Sequence, residues 1–211
     1  TILRDGRHVI TAPLSKLPID TMIEHIVGKR SKGLSDVARE SAELGEALLE
    51  LVNVSGAHKP QDISLTVHRG EVVGLAGLLG SGRSSLARVI AGIDPVASGE
   101  IRVAGTPVQI NKPKDAIDAR IALVPEARAT QGIIGAHSVA SNISMAVLDH
   151  LSNRSVMNTQ AVRETADHQI KHLSIKTASR DHAVSTLSGG NQQKVVIGKW
   201  LAADPDILIL D

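Results

Sequence analysis

The chain has 211 residues, room for one domain with a sizeable core or for one domain and part of another, and 23 Lys and Arg against 22 Asp and Glu. A net charge of +1 gives no whole-chain electrostatic case for an anionic membrane or for nucleic acid, so no nucleic-acid partner is expected. The absence of cysteine removes disulfides, thiolate zinc sites and cysteine nucleophiles, and with Trp200 as the one aromatic the core must be built from Leu, Ile, Val and Ala.

Residues 1–12 read as two short strands around Asp5-Gly6, a dipeptide suited to the positive φ angles of a tight hairpin. Ile19, Ile23, Ile26 and Val27 then share one helix face, with Gly28 placed to close the helix. Residues 31–45 are rich in Ser, Gly, Glu and Lys, which predicts a linker and a domain boundary near residue 46. No signal-like start and no apolar run near the roughly 20 residues of a membrane span is present, so neither secretion nor a span is expected.

Beyond the boundary the pattern changes to short apolar runs at 48–54, 63–67 and 72–76. The last is apolar throughout, as expected of a strand covered on both faces. Residues 98–103 and 106–110 predict a hairpin, 115–120 a short helix, 121–124 a buried strand, and 142–148 and 159–173 two further helices. A helix over 195–203 and a last buried strand at 207–210, ended by Asp211, complete the pattern. Strands interleaved with helices argue for an α/β fold with a mostly parallel sheet and a smaller antiparallel part.

Two glycine-rich stretches carry the chemistry. Residues 77–84, Gly-Leu-Leu-Gly-Ser-Gly-Arg-Ser, stand between the predicted strand at 72–76 and a helical run, the setting of a phosphate loop. Its glycines let the backbone curl around phosphate oxygens, and Ser84 can place a hydroxyl on a magnesium ion. The alternative is a glycine turn joining strand to helix. Residues 187–194, Leu-Ser-Gly-Gly-Asn-Gln-Gln-Lys, put a small hydroxyl residue and two glycines before a helix, leaving backbone N–H groups free at the positive end of its dipole to hold an anion.

Together these motifs resemble the ATPase domains of ABC transporters. The Asn-Gln-Gln-Lys ending of the octet is similar to the subgroup that drives bacterial monosaccharide uptake. The resemblance implies a P-loop ATPase fold with a helical signature subdomain, binding ATP and Mg2+. It implies nucleotide contacts from Gly77, Gly80, Ser81, Gly82, Arg83, Ser84 and Ser85 in the phosphate loop, and from Ser188, Gly189, Gly190 and Gln192 in the signature. Asp211 corresponds to the Walker B aspartate, holding magnesium through water with Ser84, and Glu126, at the end of the strand 121–124, to a metal-side or coupling residue; plain turn and loop carboxylates are the other readings. Arg83 stands where the family's phosphate loop ordinarily has Lys, a substitution similar to the second half of tandem sugar ATPases. It exchanges a compact ammonium for a planar fork. No aromatic between Leu51 and Gln61 stands where the family stacks adenine.

By the same resemblance residues 1–30 are the tail of a preceding ATPase domain, 31–46 a linker, and 47–211 a second ATPase domain stopping at Walker B, before the catalytic glutamate. A fragment so bounded is expected to be inactive alone. Composite sites of this kind pair each phosphate loop with a partner's signature, so the expected partners are a second ABC ATPase domain, transmembrane permease subunits and, indirectly, a periplasmic sugar-binding protein, at the cytoplasmic face of the inner membrane. Two other functions stay open: a silent nucleotide-binding module that completes a partner's site, and a DNA-maintenance ATPase, which long heptad arms would mark and whose arms are not seen. His168 and His172, four apart on a predicted helix, have the spacing to ligate a metal, but no third ligand accompanies them and no metal site is expected there.

Overall fold

The computed structural model describes residues 1–4, 6–27, 44–153 and 156–211. The chain divides into two units, 1–43 and 44–211. In the first, β1 (Ile2–Arg4) and β2 (Arg7–Ile10) form the expected hairpin, and α1 (Ile19–Val27) follows. Asp5, Gly28 and the linker expected at 31–46, up to residue 43, lie outside the described residues.

The second unit opens with an antiparallel sheet. Strands β3 (Ala47–Gly56) and β4 (Ile63–His68) pair with each other, α2 (Arg83–Ile90) follows, and β5 (Val96–Val103) and β6 (Thr106–Val108) extend the sheet in the order β4-β3-β5-β6. Alternate apolar residues of β3 and β5 turn inward, so that Leu49, Leu51, Val54 and Ile101 pack with Leu86, Val89 and Ile90 of α2 into the main core. Next come α3 (Pro113–Asp118), whose proline sits in the first turn where its missing N–H costs nothing, and β7 (Ile121–Val124), buried along its whole length.

A helical subdomain follows: α4 (Val139–Ser144), the short pair β8 (Ser152–Asn153) and β9 (Val156–Met157), α5 (Thr159–His172) and α6 (Gly189–Leu201). Val139, Ile143, Ile175, Val184 and Val195 form its own core. The chain returns in β10 (Ile207–Leu210), parallel to β7, in register from Ile207 opposite Ile121 to Leu210 opposite Val124. Arg120 fixes that return, its guanidinium donating to Asp206 at 2.6 Å and Asp204 at 3.0 Å while its carbonyl accepts the Asp206 and Ile207 N–H groups.

Two expectations need correction. The apolar run 72–76 is not a strand: Val72 is 86% exposed and Leu75 47%, and among the described residues no strand pairs with it. An apolar run becomes a strand only where neighbours accept its N–H and C=O groups. Among the described residues β7 and β10 form the parallel pair, beside the antiparallel sheet β4-β3-β5-β6. Strand β10 is also only half covered, with Ile207 buried and Leu210 69% exposed. No described helix is long and apolar enough to cross a membrane.

Candidate nucleotide site and signature helix

The loop 77–84 curls as its glycines suggest. The Ser81 N–H donates to the Leu78 carbonyl at 3.0 Å, and a Cβ on Gly77 would lie 2.7 Å from Ser81 Oγ, so the missing side chain is what lets Ser81 tuck in. Gly82 stands at the N-cap of α2 with φ +99, a conformation that L side chains rarely adopt. It brings no side-chain cap, and the first turn of α2 keeps its N–H groups for a ligand. Ser85, half-buried on that turn, precedes the core residue Leu86 and so keys the loop to the sheet.

Ser84 and Asp211, 127 positions apart, meet at the end of the loop: the Ser84 hydroxyl donates to Asp211 Oδ1 at 2.8 Å. The register of β10 on β7 sets this meeting, since the Asp211 N–H donates to the Val124 carbonyl at 3.0 Å and so holds the carboxylate at the strand's end. A hydroxyl beside a carboxylate is an oxygen donor set suited to a hard divalent cation, and the pair therefore fits magnesium. Arg83 is exposed and has no hydrogen-bond or ion-pair partner among the described residues. Arg88, one turn further along α2, forks onto Asp94 at 2.7 and 2.8 Å and holds that carboxyl below its usual range; Asp211 also adds to the field that keeps Arg88 charged.

One residue at this loop is not legible in the sequence. Lys59 lies over it, its Nζ donating to the Gly80 carbonyl and its stem 3.4 Å from where a Gly82 Cβ would stand. Twenty residues of intervening chain hide the contact, and only the β3–β4 turn brings it about.

At the signature the helix starts earlier than the apolar pattern indicates, with Gly189 and Gly190 forming its first turn. Ser188 is the N-cap, yet its hydroxyl caps nothing and instead accepts from Asn191 Nδ2 at 2.9 Å. By contrast α4 and α5 are capped by the side chains of Ser138 and Asn158. The exposed face of Gly190 is open, with no atom within 4 Å of a Cβ position. The side-chain amide of Gln192 donates back to the Leu187 carbonyl at 3.1 Å and braces the loop.

Glu126 is an exposed carboxylate with no side-chain partner among the described residues. Just after it, a five-residue π-helical turn, Arg128–Gly132, packs on α6. Gly132 lies against Val196, and Lys199, 7% exposed, donates to the Gly132 carbonyl at 2.7 Å and sits 4.8 Å from the Trp200 ring. Burial pushes the Lys199 ammonium below its usual range. Among the described residues no hydrogen bond joins the loop 77–84 to the signature. His168 and His172 stack, with ring centroids 5.9 Å apart.

Residues 60–211 match the family described as ABC transporter. The xylose import ATP-binding protein XylG of Burkholderia ambifaria is 40% identical over 219 residues, covering 100% of this chain and 42% of that protein. The ribose import ATP-binding protein RbsA of Bacillus cereus is 38% identical over 211 residues, and the arabinose import ATP-binding protein AraG of Mannheimia succiniciproducens 39% over 214, each covering 100% of this chain and 42% of the relative. The chain thus spans about two fifths of the length of these relatives (42%). Among solved structures, the dimeric ATP-binding cassette MJ0796 in a post-hydrolysis state bound to ADP and Pi superposes with a TM-score of 0.63 at 24% identity, over 78% of this chain and 73% of that one. The cbiO1 protein of Clostridium perfringens gives 0.61 at 25% identity, over 79% and 65%.

Proposed function

The chain belongs to the ABC transporter family, and from that premise we propose that it is part of the ATP-binding subunit of a bacterial monosaccharide importer, coupling ATP hydrolysis to uptake. The observation that carries the reading is the Ser84–Asp211 contact at the mouth of an uncapped glycine loop, where a phosphate chain and its metal ion would be held together. The names of the relatives, import ATP-binding proteins for xylose, ribose and arabinose, support a monosaccharide as cargo.

On this reading residues 77–85 bind one nucleotide, with Ser84 and Asp211 holding Mg2+, whose charge offsets that of the phosphates. Ser188, Gly189, Gly190 and Gln192 close over a second nucleotide held by another ABC ATPase domain. Residues 1–30 are the tail of a preceding ATPase domain, 31–46 a linker and 47–211 the second domain. Permease subunits place the protein at the cytoplasmic face of the inner membrane, Glu126 lies on the coupling side, and a periplasmic sugar-binding protein acts through the permease.

The test is ATP turnover by the whole polypeptide assembled with its permease. Gly189→Asp sets a negative side chain where phosphate belongs and lowers turnover at least tenfold, about 1.4 kcal/mol; wild-type turnover in that variant overturns the reading. Arg83 favours a second reading, in which the loop of this domain binds nucleotide without hydrolysing it and the domain serves only its partner's site. Under that reading Arg83→Ala leaves turnover unchanged while Ser188→Arg lowers it.

A further inference from the structure

The π-helical turn after Glu126 aims a charged side chain at the signature. A Cβ on Gly189 would lie 2.6 Å from Nη2 of Arg128 and 3.3 Å from its Cζ, so the guanidinium occupies the space that the glycine leaves free. Arg128 is exposed, and no carboxylate among the described residues pairs with it. The turn that carries it is fixed at its far end, where Gly132 packs on Val196 and its carbonyl accepts from buried Lys199 at 2.7 Å. The placement of Arg128 therefore follows from anchored backbone rather than from a charge partner. Two groups of the same sign, a guanidinium and the positive end of the α6 dipole, face one space. Such a juxtaposition is unfavourable until an anion joins it, and a planar five-donor fork suits phosphate oxygens.

We propose that Arg128 is a further phosphate-binding residue of the signature, contacting the terminal phosphate of the nucleotide that the partner ATPase domain presents to Ser188, Gly189 and Gly190. The proposal rests on the trans-acting signature argued above. It gives Gly189 a second reason to lack a side chain, since any Cβ there displaces the guanidinium. It also ties the segment leading from Glu126 to the nucleotide, because the same five residues carry Arg128 and grip α6.

The experiment uses the whole polypeptide assembled with its permease and measures affinity for a non-hydrolysable ATP analogue, ADP and inorganic phosphate, with ATP turnover and thermal unfolding alongside. Arg128→Ala and Arg128→Gln are both expected to lower affinity for the ATP analogue at least tenfold and to reduce turnover. ADP affinity stays within twofold of wild type, because ADP lacks the terminal phosphate, and Arg128→Lys recovers part of the loss. An unchanged unfolding temperature accompanies these effects, and the Gln variant keeps most of the stem, so charge rather than packing is read. Equal losses for ATP analogue and ADP with a lowered unfolding temperature overturn the proposal in favour of a packing role. A free-phosphate affinity that falls with no change for the ATP analogue overturns it in favour of an inorganic-anion site. Unchanged Arg128 variants beside a crippled Gly189→Asp sink the Arg128 assignment alone; if Gly189→Asp is also unaffected, the trans-acting signature fails with it.

Discussion

Replacing Asn142 with alanine removes a fully buried amide that shapes the approach to the signature. Its Oδ1 accepts the Ile134 N–H at 2.8 Å, and its Nδ2 donates to the carbonyls of Ser138 at 3.0 Å and Ile134 at 3.1 Å. Both carbonyls retain another donor in the variant, Ser138 from the Asn142 backbone and Ile134 from His137 at 2.9 Å. The Ile134 N–H alone is orphaned, which costs about 1–3 kcal/mol, and the vacated space adds roughly 1 kcal/mol, for about 2–4 kcal/mol in all. At roughly 2–4 °C per kcal/mol for a chain of this size, the unfolding temperature of the domain falls by about 4 °C or more. The loss reaches the site because the stretch that Asn142 holds also accepts from the residues before the signature, His137 from Val184 at 2.9 Å and Gly135 from Ser185 at 3.1 Å. Calorimetry of the whole polypeptide reads the shift and ATP turnover falls with it. An unchanged transition temperature in Asn142→Ala refutes the argument.

Arg83→Lys restores a compact ammonium to the phosphate loop and is expected to preserve or raise hydrolysis at this site; loss of nucleotide binding, measured by titration, instead makes the Arg83 fork a specialised ligand. Lys199 gives a pH prediction. Its folded-state pKa lies below the ordinary value, so from that pKa up to about 10.4 the unfolded chain binds more protons and stability rises with pH. The unfolding temperature of wild type should therefore gain on that of Lys199→Met as the pH climbs through the alkaline range, and a difference that is flat or shrinks there contradicts the burial argument.

What the sequence made legible is what is local. The octet 187–194 announces a helix start, and α6 begins within it at Gly189, ahead of the apolar run that marked the helix. The strand 121–124 and the aliphatic run ending at Asp211 are uniform enough that both strands appear at the expected residues. The run 72–76 has the same apolar character yet is exposed and pairs with nothing among the described residues, because an apolar run cannot itself supply the neighbouring strand that would bury it. The meeting of Ser84 and Asp211 was open to resemblance but not to spacing, as it depends on β10 lying beside β7. Lys59, Asn142 and Lys199 carried no signal: each acts on backbone 8 to 67 positions away, and as residue types they read as surface polar groups. Arg128 was visible only as part of the segment 124–128 that resembles the family's Pro-Glu-Asp-Arg, and its approach to Gly189 was not. The buried pair of Asn142 and Lys199 shows how far the helical subdomain relies on satisfied polar contacts where aromatic bulk is missing.

The central claim, that the signature serves a nucleotide held by another domain, is tested most directly by a distance. The chain contains no native cysteine, so Ser185→Cys, exposed and three residues before Ser188, accepts a spin label without competition from this segment. The second label sits on the helix after the phosphate loop of the partner ATPase domain in the whole assembled protein. Adding a non-hydrolysable ATP analogue with magnesium is predicted to shorten and narrow the distance distribution, and ADP to leave it long. A distribution that does not change with the ATP analogue, or shortens equally with ADP, contradicts a signature that closes on the terminal phosphate of its partner's nucleotide.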